Sequence, residues 1–153
     1  MFNGTRIVLE NMSCAVKKID DININQSVSG YLTQYVLIAF SADLERELKI
    51  IICEILERNS TPFLSAFITN TLGSIISRTK KRELADTVGM FGNDKREKFL
   101  KIVDDEVFAR YQNYLVNRDE AAHGKSINLT WADIQRIVED GEKVMLAFRE
   151  AIG

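Results

Sequence analysis

A single proline, Pro62, falls in 153 residues, and only eight glycines accompany it. Proline and glycine are the residues that most often stop a helix, so this chain has few places where one must end. Apolar residues recur at three- and four-residue spacing along almost the whole length, while the alternation expected of half-buried strands is nearly absent. The expected fold is all-α, an antiparallel bundle of about five helices, two of them long, in one domain over residues 1–153.

The first helix is expected from about Thr5 to Asp21, with Ile7, Val8, Met12, Ala15, Val16 and Ile19 on one stripe. "DDININQS" (20–27) should break it, because Asn and Asp side chains compete for backbone hydrogen bonds. A long second helix follows from about Ser27 to Arg58. Its start, "YLTQYVLIAF", is apolar around much of its circumference, the mark of a central helix. Its end keeps Leu44, Leu48, Ile51, Ile52 and Ile55 inward. Thr61 as N-cap and Pro62 as first helical residue open a third helix. It carries "FLSAFITNTLGSIISRTKKRELADTV", with an interruption near Asn70–Gly73. "GMFGND" is a loop, and Asp94 can cap the helix "KREKFLKIVDDEVFARYQNYLVNRDEAAH", which should break near Asp104–Asp105 and close at Gly124. "TWAD" has capping-box spacing and opens a last helix from Trp131 to Ala151. Ile134, Ile137, Val138, Met145 and Phe148 point inward from it.

Net charge is −2. A protein that reads DNA sequence usually carries a strongly basic face, so that class is disfavoured, although a small site for one phosphate is not. Cys14 and Cys53 lie in apolar, helix-like runs and are expected as buried small hydrophobes, consistent with a reducing compartment. One histidine and two scattered cysteines cannot build a structural zinc site. No metal and no cofactor is expected. No run of 18 or so apolar residues is long enough to span a membrane, and "MFNGTRIVLE" is not a signal peptide. A cytoplasmic location is expected.

Several local signals carry little. "KKRE" (80–83) is a short basic run that suits a solvated helix face. Asp104, Asp105 and Glu106 point in different directions around a helix and suit a cap. "GMFGND" lacks the Lys-Ser/Thr of a phosphate-binding loop. Ser41 and Glu45 lie where the long helix first turns polar. Either they face solvent, or one faces inward and supports a site on a neighbouring helix.

"LVNRDEAAHGK" (115–125) is different. It contains the only histidine, His123, with Arg118 five residues earlier and Asn117 and Asp119 beside that arginine. A surface explanation exists, since histidine suits a helix C-terminus and Arg118 can pair with Asp119, Glu120 or Glu139. Yet Arg118 is in register with Tyr111, Leu115 and Ala122, the apolar side, where an unpartnered cation is costly. His123 lies about 140° further around an ideal helix. Only a bent helix end, or two copies placed face to face across a two-fold axis, brings both side chains to one phosphate.

These residues resemble the HEPN family, all-helical domains whose nuclease members carry Arg, a polar residue, three to five further residues and then His. Here that reads Arg118, Asp119, Glu120, Ala121, Ala122, His123, inside "LVNRDEAAHG", similar to the form Leu-Val-x-x-Arg-Asn-x-x-Ala-His-Gly. Asp119 stands where Asn is frequent. The resemblance implies a metal-independent endoribonuclease of the prokaryotic toxin–antitoxin or antiviral-defence type. In it Arg118 and His123 are the catalytic pair, with Asp119 at the polar position; Asn117 beside them is expected as a further supporting polar group, and Glu45 and Ser41, from their place on the long helix, as candidate supports further out. It implies an RNA substrate, a homodimer with the site at its interface, and control by an antitoxin or other regulatory protein. The competing expectations are a non-catalytic HEPN module that engages a nucleotide or a partner protein, and a purely structural bundle with Arg118 and His123 as unrelated surface residues.

Overall fold

The computed structural model describes residues 1–18, 22–59, 61, 64 and 81–153, and not the side chains of 22–27 and 81–83. Its described segments are helical, with no strand among them. In chain order they are α1 (Asn3–Val16), α2 (Ile22–Asn59), α3 (Lys81–Gly89), α4 (Asn93–Ile102), α5 (Asp105–Ala122), α6 (Trp131–Ile134) and α7 (Ile137–Ile152). The expected all-α bundle is therefore found. The third helix over 65–80, its interruption at Asn70–Gly73 and Lys80 lie outside the described residues.

At 38 residues, α2 is the axle of the bundle and packs against α1, α5, α6 and α7. Val36, Leu37, Phe40, Leu44, Leu48, Ile51 and Ile52 are buried at helical spacing. The helix starts at Ile22, several residues before the expected Ser27, so most of "DDININQS" is helix rather than break. Its early apolar run is not all used in the core: Tyr31, Tyr35 and Ile38 are exposed on the opposite side. At the far end Thr61 Oγ1 accepts from the Leu64 N–H at 3.4 Å, the N-cap relation expected of Thr61.

α1 begins earlier than expected, because its N-terminal cap comes from elsewhere in the chain, and it also ends earlier, at Val16. Asp43 of α2 is buried and accepts from the Thr5 N–H (2.7 Å) and Thr5 Oγ1 (2.8 Å). Arg46 balances that carboxylate at 2.8 Å. Phe2, Thr5, Val8, Leu9 and Met12 face the bundle, whereas Ile7 and Ala15 are exposed; Ile19 is outside the described residues. Cys14 is exposed, contrary to expectation, because it lies on the outer side of α1; Cys53 is half-buried.

α4 starts at Asn93 with Gly92 as N-cap, so Asp94 stands in the first turn instead of capping it. The expected break is present. Val103 is buried in an extended conformation, and Asp104 caps α5 by accepting from the Val107 N–H at 2.9 Å. The Thr130/Asp133 capping box forms as expected. The last helix divides at Gln135–Arg136 into α6 and α7, yet all five expected inward residues are buried.

Contacts set the directions. Gly141 lies against Phe40, and Arg149 pairs with Glu54, so α7 runs parallel to α2. Arg110 and Tyr114 reach Asp140, while Phe108 and Phe148 both meet Phe99, so α5 runs antiparallel to α7 and hence to α2.

Candidate functional site

α5 buries Val107, Phe108, Tyr111, Tyr114, Leu115 and Asn117. Arg118 follows at the margin of this face, with its side chain 37% exposed. The apolar register around it is real at Tyr111 and Leu115 and lost at Ala122, which is exposed. Arg118 Nη1 donates to Asp119 Oδ1 at 3.1 Å, one of the surface pairings open to it. Both partners are more than a third exposed, so this pair contributes at most about 1 kcal/mol and is easily exchanged for another anion.

His123 is the C-cap of α5 and is exposed. The Lys125 N–H donates to Glu120 O at 2.9 Å and the Gly124 N–H to Ala121 O at 3.0 Å, the paired bonds of a Schellman ending. Gly124 has φ of +69°, a left-handed conformation that a side chain would strain, so glycine is what lets the chain leave immediately after His123. The His123 N–H still bonds back to Asp119 O (3.2 Å) and Glu120 O (3.1 Å), so the last turn keeps helical form. The end is therefore not bent. Arg118 and His123 leave α5 about 140° apart, separated by roughly 7.5 Å of helical rise.

Asn117 is 3% exposed and turned away from solvent. Its Nδ2 donates to Asn113 O (2.9 Å) and Asn113 Oδ1 (3.0 Å), and its Oδ1 accepts from the Asn128 N–H at 2.6 Å. Ser41 is buried and Glu45 half-buried on α2. Because α2 and α5 are antiparallel and meet at Phe40 with Tyr111 and Tyr114, Glu45 lies beyond Phe40 on the side away from Arg118. Within one chain the two stand roughly 16 Å apart along the bundle. The structure brings Asn117, Arg118, Asp119 and His123 together on one helix end; it does not bring Glu45 to them.

One polar group beneath the site has no counterpart in the reading of the motif. Asp140 on α7 is 2% exposed and receives Arg110 through two bonds, Nε to Oδ2 and Nη2 to Oδ1, both 2.9 Å. The Tyr114 hydroxyl donates to Asp140 Oδ2 at 2.8 Å and approaches Asp133 O at 3.3 Å. Burial, and then this bond to the carboxylate, push the Tyr114 phenol well above the ordinary tyrosine range. The bond to Asp140 likewise holds Arg110 firmly protonated. A signal for the network was present: Asp140 falls in register with Ile137 and Val144, and an acid on a buried stripe needs partners. Arg110, Tyr114 and Arg118 form one ridge on α5, so the network braces the helix one turn below Arg118 against α6 and α7.

Among the described residues, no three His, Cys, Asp or Glu side chains are grouped as metal ligands, and no helix is long and apolar enough to cross a membrane. A groove of about 400 Å³ lies between α1 and the α6–α7 turn, lined by Arg6, Gln135, Glu139 and Glu142 among others. It contains neither Arg118 nor His123, which lie at the surface of the isolated chain.

The RiboL-PSP-HEPN family model matches residues 8–153. No curated protein and no solved structure matches the chain.

Proposed function

The chain belongs to the RiboL-PSP-HEPN family, and from that premise we propose that it is a metal-independent endoribonuclease acting in toxin–antitoxin or antiviral defence. The observation that carries the proposal is the end of α5, where an exposed imidazole and an accessible guanidinium stand within six residues of each other on a braced helix.

RNA carries its own nucleophile. The 2′-oxygen attacks the adjacent phosphorus, the bond to the 5′-oxygen breaks, and the products are a 2′,3′-cyclic phosphate and a 5′-hydroxyl. One proton leaves the 2′-OH and one is delivered to the 5′-oxygen. Imidazole titrates near neutral pH and serves either transfer. Negative charge grows on the phosphorane oxygens, and the planar, permanently charged fork of Arg118 suits them. Asp119 orients that fork in the resting enzyme and yields it to the phosphate, an exchange made easy by the weakness of an exposed pair.

One histidine per chain supplies one proton-transfer group. The divergence of Arg118 and His123 on an unbent helix supports a site completed by a second copy across a two-fold axis. Interfaces of stable homodimers often exceed about 2,000 Å² in total, and an interface of that scale is expected here, with the end of α5 at or beside it. The small net charge fits a substrate held in a local cleft rather than along a broad basic face. Labelled RNA incubated with the protein in EDTA tests the reading. Cleavage by wild type, lost in Arg118→Lys because the bidentate fork is gone, is the expected result. Cleavage that EDTA stops would remove the mechanism.

A further inference from the structure

The bond from the Asn128 N–H to Asn117 Oδ1 closes a ring of chain. The ring runs from residue 117 to residue 128 and contains Arg118, Asp119 and His123. Its two ends are held differently. At the helix end, the Schellman bonds fix Gly124 and Lys125. Three residues further on, Asn117 draws Asn128 back against α5. His123, Gly124, Lys125 and Ser126 are exposed, so side-chain packing does little for them, while Ile127 and Leu129 rest half-buried on the core.

Asn117 is suited to the task and hard to replace. The Asn128 N–H must meet an oxygen, and the two acceptors of Asn113 must meet an N–H₂, so both halves of the amide are committed and its orientation follows. Asn117 itself is 3% exposed, so water reaches these part-buried bonds only from the side of Asn113 and Asn128. Helix ends fray when their terminal groups lack partners, and this staple acts on the chain that leaves such an end.

We propose that Asn117 is a positioning residue, the staple that fixes the path of the chain around Arg118 and His123 and so sets the imidazole relative to the guanidinium. The proposal rests on the cleavage reading above for its functional half. A displacement of about 1 Å in a reacting group can cost on the order of 100-fold in rate, so loosening the ring should be felt in turnover even though Asn117 touches no substrate.

Two measurements test it together. The first needs no RNA: brief trypsin digestion, following the fragment that ends at Lys125. Asn117→Ala should be cut there roughly tenfold faster than wild type, the change expected when a part-buried hydrogen bond is lost. Asn128→Ala keeps the backbone N–H and should be cut at the wild-type rate. If Asn117→Ala fails to fold, Asn128→Pro removes the same donor from an exposed position and should open the same site. The second is turnover of RNA across pH. Asn117→Ala should lose roughly tenfold or more at saturating RNA, and its pH profile should flatten, because a misplaced imidazole contributes less. A protein that was merely less stable would give the wild-type profile scaled down. Equal cutting at Lys125 in wild type and Asn117→Ala overturns the staple, and faster cutting with an unchanged profile and turnover overturns the positioning role. Wild type that cleaves no RNA, with Asn117→Ala still opened at Lys125, would sink the cleavage reading and with it the positioning role, while keeping the staple.

Discussion

Replacing Gly141 by alanine sets two opposing effects against each other, and the structure decides the sign. Gly141 lies inside α7, where alanine is favoured over glycine by about 1 kcal/mol through backbone entropy. A Cβ at this position, however, would stand 2.5 Å from Phe40 Cε2, 2.7 Å from Phe40 Cζ and 3.2 Å from Phe2 Cζ. Carbon atoms pack best at about 3.5–4.0 Å, so the Phe40 ring must retreat by about 1 Å. It has little room, since Phe40 is 1% exposed and meets Phe2 at 5.3 Å, Tyr111 at 6.4 Å and Tyr114 at 6.3 Å between ring centres. Overpacking of this kind costs about 1–3 kcal/mol. Tyr114 in turn holds Asp140, so the displacement reaches the network under Arg118. Set against the roughly 1 kcal/mol gained, the expected net effect is a loss of up to about 2 kcal/mol, which for a domain of this size lowers the melting temperature by up to about 8 °C. Urea unfolding followed by circular dichroism and tryptophan fluorescence measures it. Phe40→Leu should relieve the clash, so the double variant should show coupling of at least about 0.5 kcal/mol in the favourable direction. A stabilised Gly141→Ala single variant would refute the packing described for the α2–α5–α7 contact.

The remaining predictions concern the polar groups. Asp140→Ala should cost about 2–3 kcal/mol in urea unfolding, from the lost bonds to Tyr114 and Arg110 discounted for the partial exposure of Arg110; a loss below about 0.5 kcal/mol would contradict the network. Tyr114 is raised above the ordinary tyrosine value, so its contribution to stability is present below about pH 10 and is lost as pH rises through the folded value. Ultraviolet titration should show Tyr114 staying protonated above the ordinary tyrosine range. The Asp133 carboxyl is held low by the Thr130 hydroxyl and N–H, so the capping box contributes above about pH 3.9 and is lost as pH falls through the lower folded value. Asp133→Asn should remove that acid dependence at a cost near 1 kcal/mol. Arg118→Ala should change stability by less than about 0.5 kcal/mol, as measured by thermal unfolding, while abolishing RNA cleavage.

The helical class was legible because local periodicity dominates the chain, and so were the stops that depend on nearby residues. Asp104, Gly124 and Thr130 with Asp133 all act within a few positions of themselves, and the structure uses each as read. Features set by distant partners were not legible. α1 starts early because Asp43, 38 residues away, caps it. "DDININQS" reads as a break on propensity, yet α2 already runs through Ile22–Gln26, where tertiary context overrides a weak local preference. On paper Ile7 fits an apolar stripe and Cys14 an apolar run, but the docking of α1 through Phe2 and Thr5 turns them outward. At the candidate site, the resemblance of "LVNRDEAAHG" singled out Arg118 and His123, and helical geometry anticipated their divergence. The inward turn of Asn117 depends on a loop eleven residues later, and Asp140 would have drawn notice only by asking why an acid sits on the buried face of the last helix.

The most direct test of the central claim is cleavage of labelled RNA in EDTA by wild type and by His123→Ala, with the end groups of the products identified. His123 is exposed at a helix end, so the variant should fold as wild type does. Loss of a placed proton-transfer group lowers rates by about 10²–10⁴-fold. The account therefore predicts fragments ending in 2′,3′-cyclic phosphate and 5′-hydroxyl from wild type, and almost none from His123→Ala. Cleavage by His123→Ala at the wild-type rate, or products with 3′-hydroxyl ends, would contradict it.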